Sequence, residues 1–147
     1  MDCVAHLILP SDLHAQIVRH ARNSWPKEAV GLLAGTCEGR VKLALPFPNV
    51  VVGDKAFLVD PLAQFRALRR LESEHLQLLA IYHSHPGGGI EPSQQDLEYA
   101  KRWSCAHLIL AADLSERLPA QLKAFRCAKT GSIETIIETI EVPIVFV

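Results

Sequence analysis

Residues 81-IYHSHPGGGIEPSQQDLEYA-100 decide how this chain is read. They close the run 76-LQLLAIYH-83, whose near-continuous apolar character is that of a strand covered on both faces. Two histidines one residue apart follow, then Pro86 and three glycines, and then an amphipathic helix expected from Ser93 to about Trp103. Residues two apart on a strand share a face, so His83 and His85 aim both imidazoles at one point where the strand leaves the sheet.

A zinc ion takes nitrogen ligands at about 2.0–2.1 Å, and a same-face histidine pair can supply two. Asp96, in the first turn of the following helix, offers a carboxylate once the loop 87–89 folds the chain back, as glycines permit. Three protein ligands leave one tetrahedral position for water, the arrangement of catalytic rather than structural zinc. Zinc lowers the pKa of such a water from about 15.7 to about 7. A base and an oxyanion donor are still needed. Ser93, three residues before Asp96, reaches into the same space. Glu28, at the head of the apolar run after Pro26, is the acidic residue placed to serve as base. Each feature also has a plainer reading. His-Ser-His pairs occur on surface loops, Ser93-x-x-Asp96 is the pattern of a helix capping box, and Glu28 alone would be a solvated carboxylate. His6, His14, His20, His75 and His107 have no comparable spacing and read as structural or surface residues.

Working outward, 147 residues fit one domain over 1–147, large enough to bury roughly 68–70% of its unfolded surface. An apolar content of 49% argues for a well-formed core. The net charge of −1 gives no footprint for nucleic acid or an anionic membrane. The longest apolar stretch is far below the roughly 18 residues that span a bilayer. Cys3, Cys37, Cys105 and Cys127 are scattered without a C-x-x-C pair, and the N-terminus shows no leader, so free thiols in a cytoplasmic protein are expected.

A strand is expected at 4-VAHLIL-9 and a helix capped by Ser11 and ending before Pro26. Strands 29-AVGLLAGT-36 and 41-VKLALP-46 form a hairpin about 37-CEGR-40. A strand at 56-AFLV-59 follows a loop, and Asp60-Pro61 opens a helix whose buried face is Leu62, Phe65, Leu68 and Leu71. A strand 106-AHLILAA-112 comes next, then a hairpin of 121-QLKAFRCA-128 and 133-IETIIETIEV-142 about a turn at 129–132. Alternating strands and helices with two hairpins predict a mixed sheet flanked by helices, an α/β or α+β domain.

Taken together, His83-Ser84-His85, seven residues, Ser93, two residues and Asp96 resemble the signature of the JAMM (MPN+) metallopeptidases. Glu28 within 26-PKEAVGLLAG-35 matches the family's upstream glutamate, and 48-PNVVVGDKAFLVDP-61 is similar to compact prokaryotic members. The resemblance covers roughly residues 1–112 and departs at Ala29-Val30, where many relatives carry a cysteine. It implies a curved mixed sheet between helices, cytidine-deaminase-like in architecture. It implies one zinc per chain on His83, His85 and Asp96 with a water as fourth ligand, Glu28 as general acid/base and Ser93 as oxyanion stabiliser. It implies hydrolysis of peptide or isopeptide bonds, with the C-terminal tail of a ubiquitin-like sulfur carrier as partner, and it is compatible with a homodimer. The alternatives are a non-catalytic MPN-type scaffold and a deubiquitinase-like isopeptidase. Neither H-E-x-x-H nor H-x-E with P-C-x-x-C is present, which excludes zincin and cytidine-deaminase sites.

Overall fold

The computed structural model describes residues 4–53, 56–112, 120–128 and 137–147. Its elements are β1 (Leu7–Leu9), α1 (Ser11–Ser24), β2 (Val30–Gly35), β3 (Val41–Phe47), α2 (Pro61–Ser73), β4 (Gln77–Pro86), α3 (Gln94–Ala100), β5 (Ala106–Ala112), β6 (Gln121–Cys127), β7 (Thr139–Val142) and β8 (Ile144–Phe146). Six strands form a curved mixed sheet in the order β3-β2-β4-β5-β6-β7, and β1 and β8 form a separate parallel pair. Within the large sheet the described pairings are antiparallel except β4 with β5, which are joined through α3 and run parallel. The fold class is the expected mixed α+β arrangement.

β4 is central, and its alternating side chains feed two cores. Ala80 and Tyr82 pack with Leu33, Leu108 and Leu110 against Ile17 and Ala21 of α1. Ile81 points the other way and packs with Val30 and Leu32 against Ala67 and Leu71 of α2. Each large aliphatic side chain in these layers contributes about 1.5–3 kcal/mol relative to exposure. The Tyr82 ring lies across Gly31, its partner on β2; a Cβ at Gly31 would fall 2.4 Å from that ring and 2.5 Å from the Leu45 carbonyl. Only glycine leaves that passage clear.

Several expectations change in detail. Ser11 is the first helical residue rather than the cap; Pro10 holds the cap position with no side-chain bond. The strand expected at 4–9 is limited to Leu7–Leu9, because its partner is the unforeseen β8. No strand forms at 56–59; a single bridge, Asn49 with Val59, stands there, and the Asn49 side chain replaces the ladder. Asp60 caps α2 with Pro61 at its start, as expected. The buried stripe of α2, however, runs through Ala67 and Leu71 with Leu68 partly covered, and leaves Leu62 and Phe65 exposed. At about 100° per residue, those two sit well around the helix from that stripe. Helix α3 stops at Ala100, where the last turn tightens and the Arg102 amide bonds the Tyr99 carbonyl. The C-terminal pairing joins Gln121–Cys127 to Thr139–Val142; the turn expected at 129–132 lies outside the described residues. Cys37 and Cys127 are free thiols, and Cys3 lies outside the described residues. Among the described residues, no helix is long and apolar enough to cross a membrane.

Candidate metal centre

The carboxyl end of β4 carries His83 and His85 on the face of Ile81, toward α3. The chain then reverses through Gly87, whose φ of 78° is a left-handed conformation that favours glycine. The reversal brings the Gly89 carbonyl 2.8 Å from His85 Nδ1. A carbonyl only accepts, so Nδ1 carries the proton and Nε2 presents the lone pair in the neutral ring.

The start of α3 supplies the third member. Ser93 Oγ accepts from the Asp96 amide (3.1 Å), and the Ser93 amide donates to Asp96 Oδ2 (2.9 Å), a complete capping box. That cap holds the Asp96 carboxylate against both imidazoles: His83 Nε2 is 3.2 Å from Oδ1 and His85 Nε2 is 2.9 Å from Oδ2. The two Nε2 atoms are 3.1 Å apart, and the three ligand groups lie within 4.8 Å of one another. The cap reading and the ligand reading therefore hold together in one geometry.

Two imidazole nitrogens and a buried carboxylate converge on one point, an arrangement able to hold a cation between them. Burial alone would raise the Asp96 pKa, but the bonds from His83 and His85 hold it well below the usual carboxylate range. The Asp96 contact raises His85. Two imidazoles and one carboxylate are a donor set suited to zinc, and the residues present fit that ion. Phe57 covers His83, ring centroid to ring centroid 4.9 Å, and stacks edge-on to Tyr99 at 5.0 Å. Beside the cluster opens a cleft of about 520 Å³ lined by Glu28, His85, Ser93 and Asp96.

Glu28 stands on that cleft wall although 55 residues separate it from His83. It is nearly buried, and its Oε2 has no hydrogen-bond partner among the described residues. Burial first, and the Asp96 charge second, raise its pKa to about 7, partly offset by His85. All five residues singled out in the sequence thus meet at one site, and none of the other histidines joins them. His20 bonds the Tyr82 hydroxyl, His14 packs on Phe146, and His107 is buried against Phe125.

Two residues with no role assigned from the sequence complete the surroundings. Ser84 is fully buried and its Oγ accepts from the Ala29 amide (2.8 Å). Asn49 donates to the Glu28 carbonyl (2.9 Å) and accepts from the Leu58 amide (3.0 Å). A signal existed for Ser84: between two histidines that share a face, its hydroxyl must point into the opposite core and find a partner there.

Comparison with known proteins gives the family of the chain and the kinship of its fold. Residues 10–128 match the family described as prokaryotic homologs of the JAB domain. A probable TtuB-protein conjugate cleaving protease from Thermus thermophilus is 44% identical over 108 residues, 73% of this chain and 71% of that protein. The CysO-cysteine peptidase of Mycobacterium tuberculosis is 30% identical over 139 residues, 92% of each chain. The structure of a JAB1/MPN domain protein from Archaeoglobus fulgidus superposes with a TM-score of 0.60 at 20% identity, covering 96% of this chain and 99% of that one, a likeness of fold. From its first helix through its sixth strand, this chain belongs to the prokaryotic JAB-domain family.

Proposed function

We propose that this single-domain protein is a zinc-dependent peptidase or isopeptidase that holds one zinc on His83, His85 and Asp96 and cleaves a bond at the C-terminal tail of a ubiquitin-like sulfur carrier. The observation that carries the reading is the convergence of His83, His85 and Asp96 beside a buried carboxyl raised to about 7, on one cleft. Zinc, when bound, supplies a Lewis acid that makes a water nucleophilic near neutral pH.

The protein groups do the rest. Glu28 is ionised in part near neutral pH, so its carboxylate takes the proton of the attacking water, and the resulting acid returns that proton to the departing amine. Ser93 Oγ uses a lone pair to accept from the Asp96 amide, which leaves its O–H to donate to the oxygen of the scissile carbonyl as charge develops there. Asp96 stays charged because both imidazoles face it.

The substrate class is supported by relatives whose names speak of cleaving a protein joined to TtuB and a cysteine joined to CysO. The cytoplasm, where free thiols such as Cys37 persist, suits such a reaction. The test combines zinc per chain with turnover of a ubiquitin-like carrier bearing a C-terminal cysteine and of a ubiquitin isopeptide. About one zinc and cleavage of the carrier support the reading. Cleavage of the ubiquitin isopeptide alone would replace the substrate by that of a deubiquitinase-like enzyme, and zinc-free, inactive protein would make the chain a scaffold.

A further inference from the structure

We propose that Ser84 and Asn49 are positioning residues for this reaction: they grip the two ends of one peptide unit, the one joining Glu28 to Ala29, and so set where the Glu28 carboxylate stands relative to the His83–His85–Asp96 cluster. The proposal rests on the reading of Glu28 given above.

Glu28 lies outside the regular ladder. The last β2–β4 pair is Val30 with His83, and beyond it the Ser84 amide donates to the Ala29 carbonyl at 2.9 Å. The next groups along the chain are the Glu28 carbonyl and the Ala29 amide, which share one planar unit. Strand pairing serves neither. The amide donates to Ser84 Oγ at 2.8 Å, and the carbonyl accepts from Asn49 Nδ2 at 2.9 Å. With both ends of a planar group held, its orientation is fixed, and with it the direction in which Glu28 leaves the backbone.

Both clamps are themselves anchored. Ser84 is fully buried on β4 between the two histidines, so the strand that aims the imidazoles at one face aims this hydroxyl at the other. The base and two of the ligands are thereby held to one short piece of backbone. Asn49 uses its whole amide: Nδ2 also reaches the Ala56 carbonyl (3.3 Å), and Oδ1 accepts from the amides of Val51 (3.1 Å) and Leu58 (3.0 Å). One side chain thus ties Glu28 to the loop that presents Phe57 to His83.

The experiment uses the zinc-loaded full chain as wild type, Ser84→Ala, Ser84→Thr, Asn49→Asp and Glu28→Gln. Asn49→Asp keeps the acceptor for Val51 and Leu58 but faces the Glu28 carbonyl with an oxygen. Three quantities are read: zinc per chain, kcat and KM on a ubiquitin-like carrier bearing a C-terminal cysteine, and amide hydrogen exchange at Ala29 and Leu33. Ser84→Ala and Asn49→Asp are expected to lower kcat by about ten- to a hundredfold with KM within about twofold and zinc retained, since misplacement of a reacting group by about 1 Å has that effect. Ser84→Thr, which keeps the hydroxyl, restores most of the rate. Ala29 exchange in Ser84→Ala rises by about tenfold or more while Leu33 is unchanged. Full kcat in both variants beside an inactive Glu28→Gln would overturn the clamp and leave the functional reading standing. Unchanged Ala29 exchange, or loss of zinc in either variant, would overturn it as well. Full turnover by Glu28→Gln would overturn the functional reading, and the clamp's part in it, together.

Discussion

The two faces of β4 at its carboxyl end differ in how they treat polar groups. Toward α1, Tyr82 and Ser84 are closed: the tyrosine hydroxyl meets His20 Nδ1 at 2.8 Å, and the serine hydroxyl takes the Ala29 amide. Toward α3, His83 and His85 turn two nitrogens and a carboxylate on one another, and Glu28 Oε2 and His83 Nδ1 have no partner among the described residues. Hydroxyls closed by one bond each hold the fold, whereas two imidazoles and a carboxylate gathered beside a carboxyl oxygen without a partner form a cluster of the kind found at functional sites. Four consecutive residues, alternating in direction, therefore divide structural from chemical duty.

The sharpest way to break this division is His85→Ala. Zinc measured by metal analysis is expected to fall from about one per chain to none, with turnover at background, because two ligands do not make a site. Glu28→Gln should separate the two properties, keeping zinc while kcat falls by about 10²–10⁴. Equal loss of zinc in both would end the separation of holding from proton transfer. Ser93→Ala should lower kcat by about 10²–10³ and cost about 1 kcal/mol in urea unfolding, since it removes a proposed oxyanion donor and a helix cap together.

His107 sharpens the comparison through pH. Burial first, and the neighbouring His83 second, lower its pKa from 6.5 to about 4. The unfolded chain therefore binds the extra proton below pH 6.5 and the fold does not. This contribution to stability is complete above pH 6.5, declines as the pH falls, and is gone by about pH 4, a loss of about 3 kcal/mol. Denaturant midpoints of wild type and His107→Phe across that window check it; parallel curves would refute it. The smallest effect belongs to the closed face. Tyr82→Phe should cost about 1 kcal/mol by leaving His20 without its bond, with zinc content and kcat unchanged.

What could be read in advance was what local spacing creates. The period of two aimed His83 and His85 together, and the three-residue step from Ser93 to Asp96 made the cap that also aims the carboxylate. The meeting of Glu28 with His85 was a different matter. It depends on β2 lying antiparallel beside β4, which no local pattern states; the place of Glu28 at the head of an apolar run and the family resemblance pointed to the residue, not to that pairing. Asn49 escaped for the same reason: its partners at Glu28, Ala56 and Leu58 are brought to it by the loop it closes. The exposed Leu62 and Phe65 show the converse, a convincing helical stripe overruled by where the sheet happened to lie.

The dual service of Asp96 also bears on how quickly a metal could be taken up. Its Oδ2 is committed to the Ser93 amide as soon as the first turn of α3 exists, so the carboxylate is parked before any ion arrives. A ligand already parked has little rotamer freedom left to surrender, which makes capture a matter of stripping water from the ion rather than of searching for its partners. By the same token the ion would hold down the start of α3, and stripping it with a chelator should loosen that helix turn before β4, whose ladders on both sides keep the histidines in place.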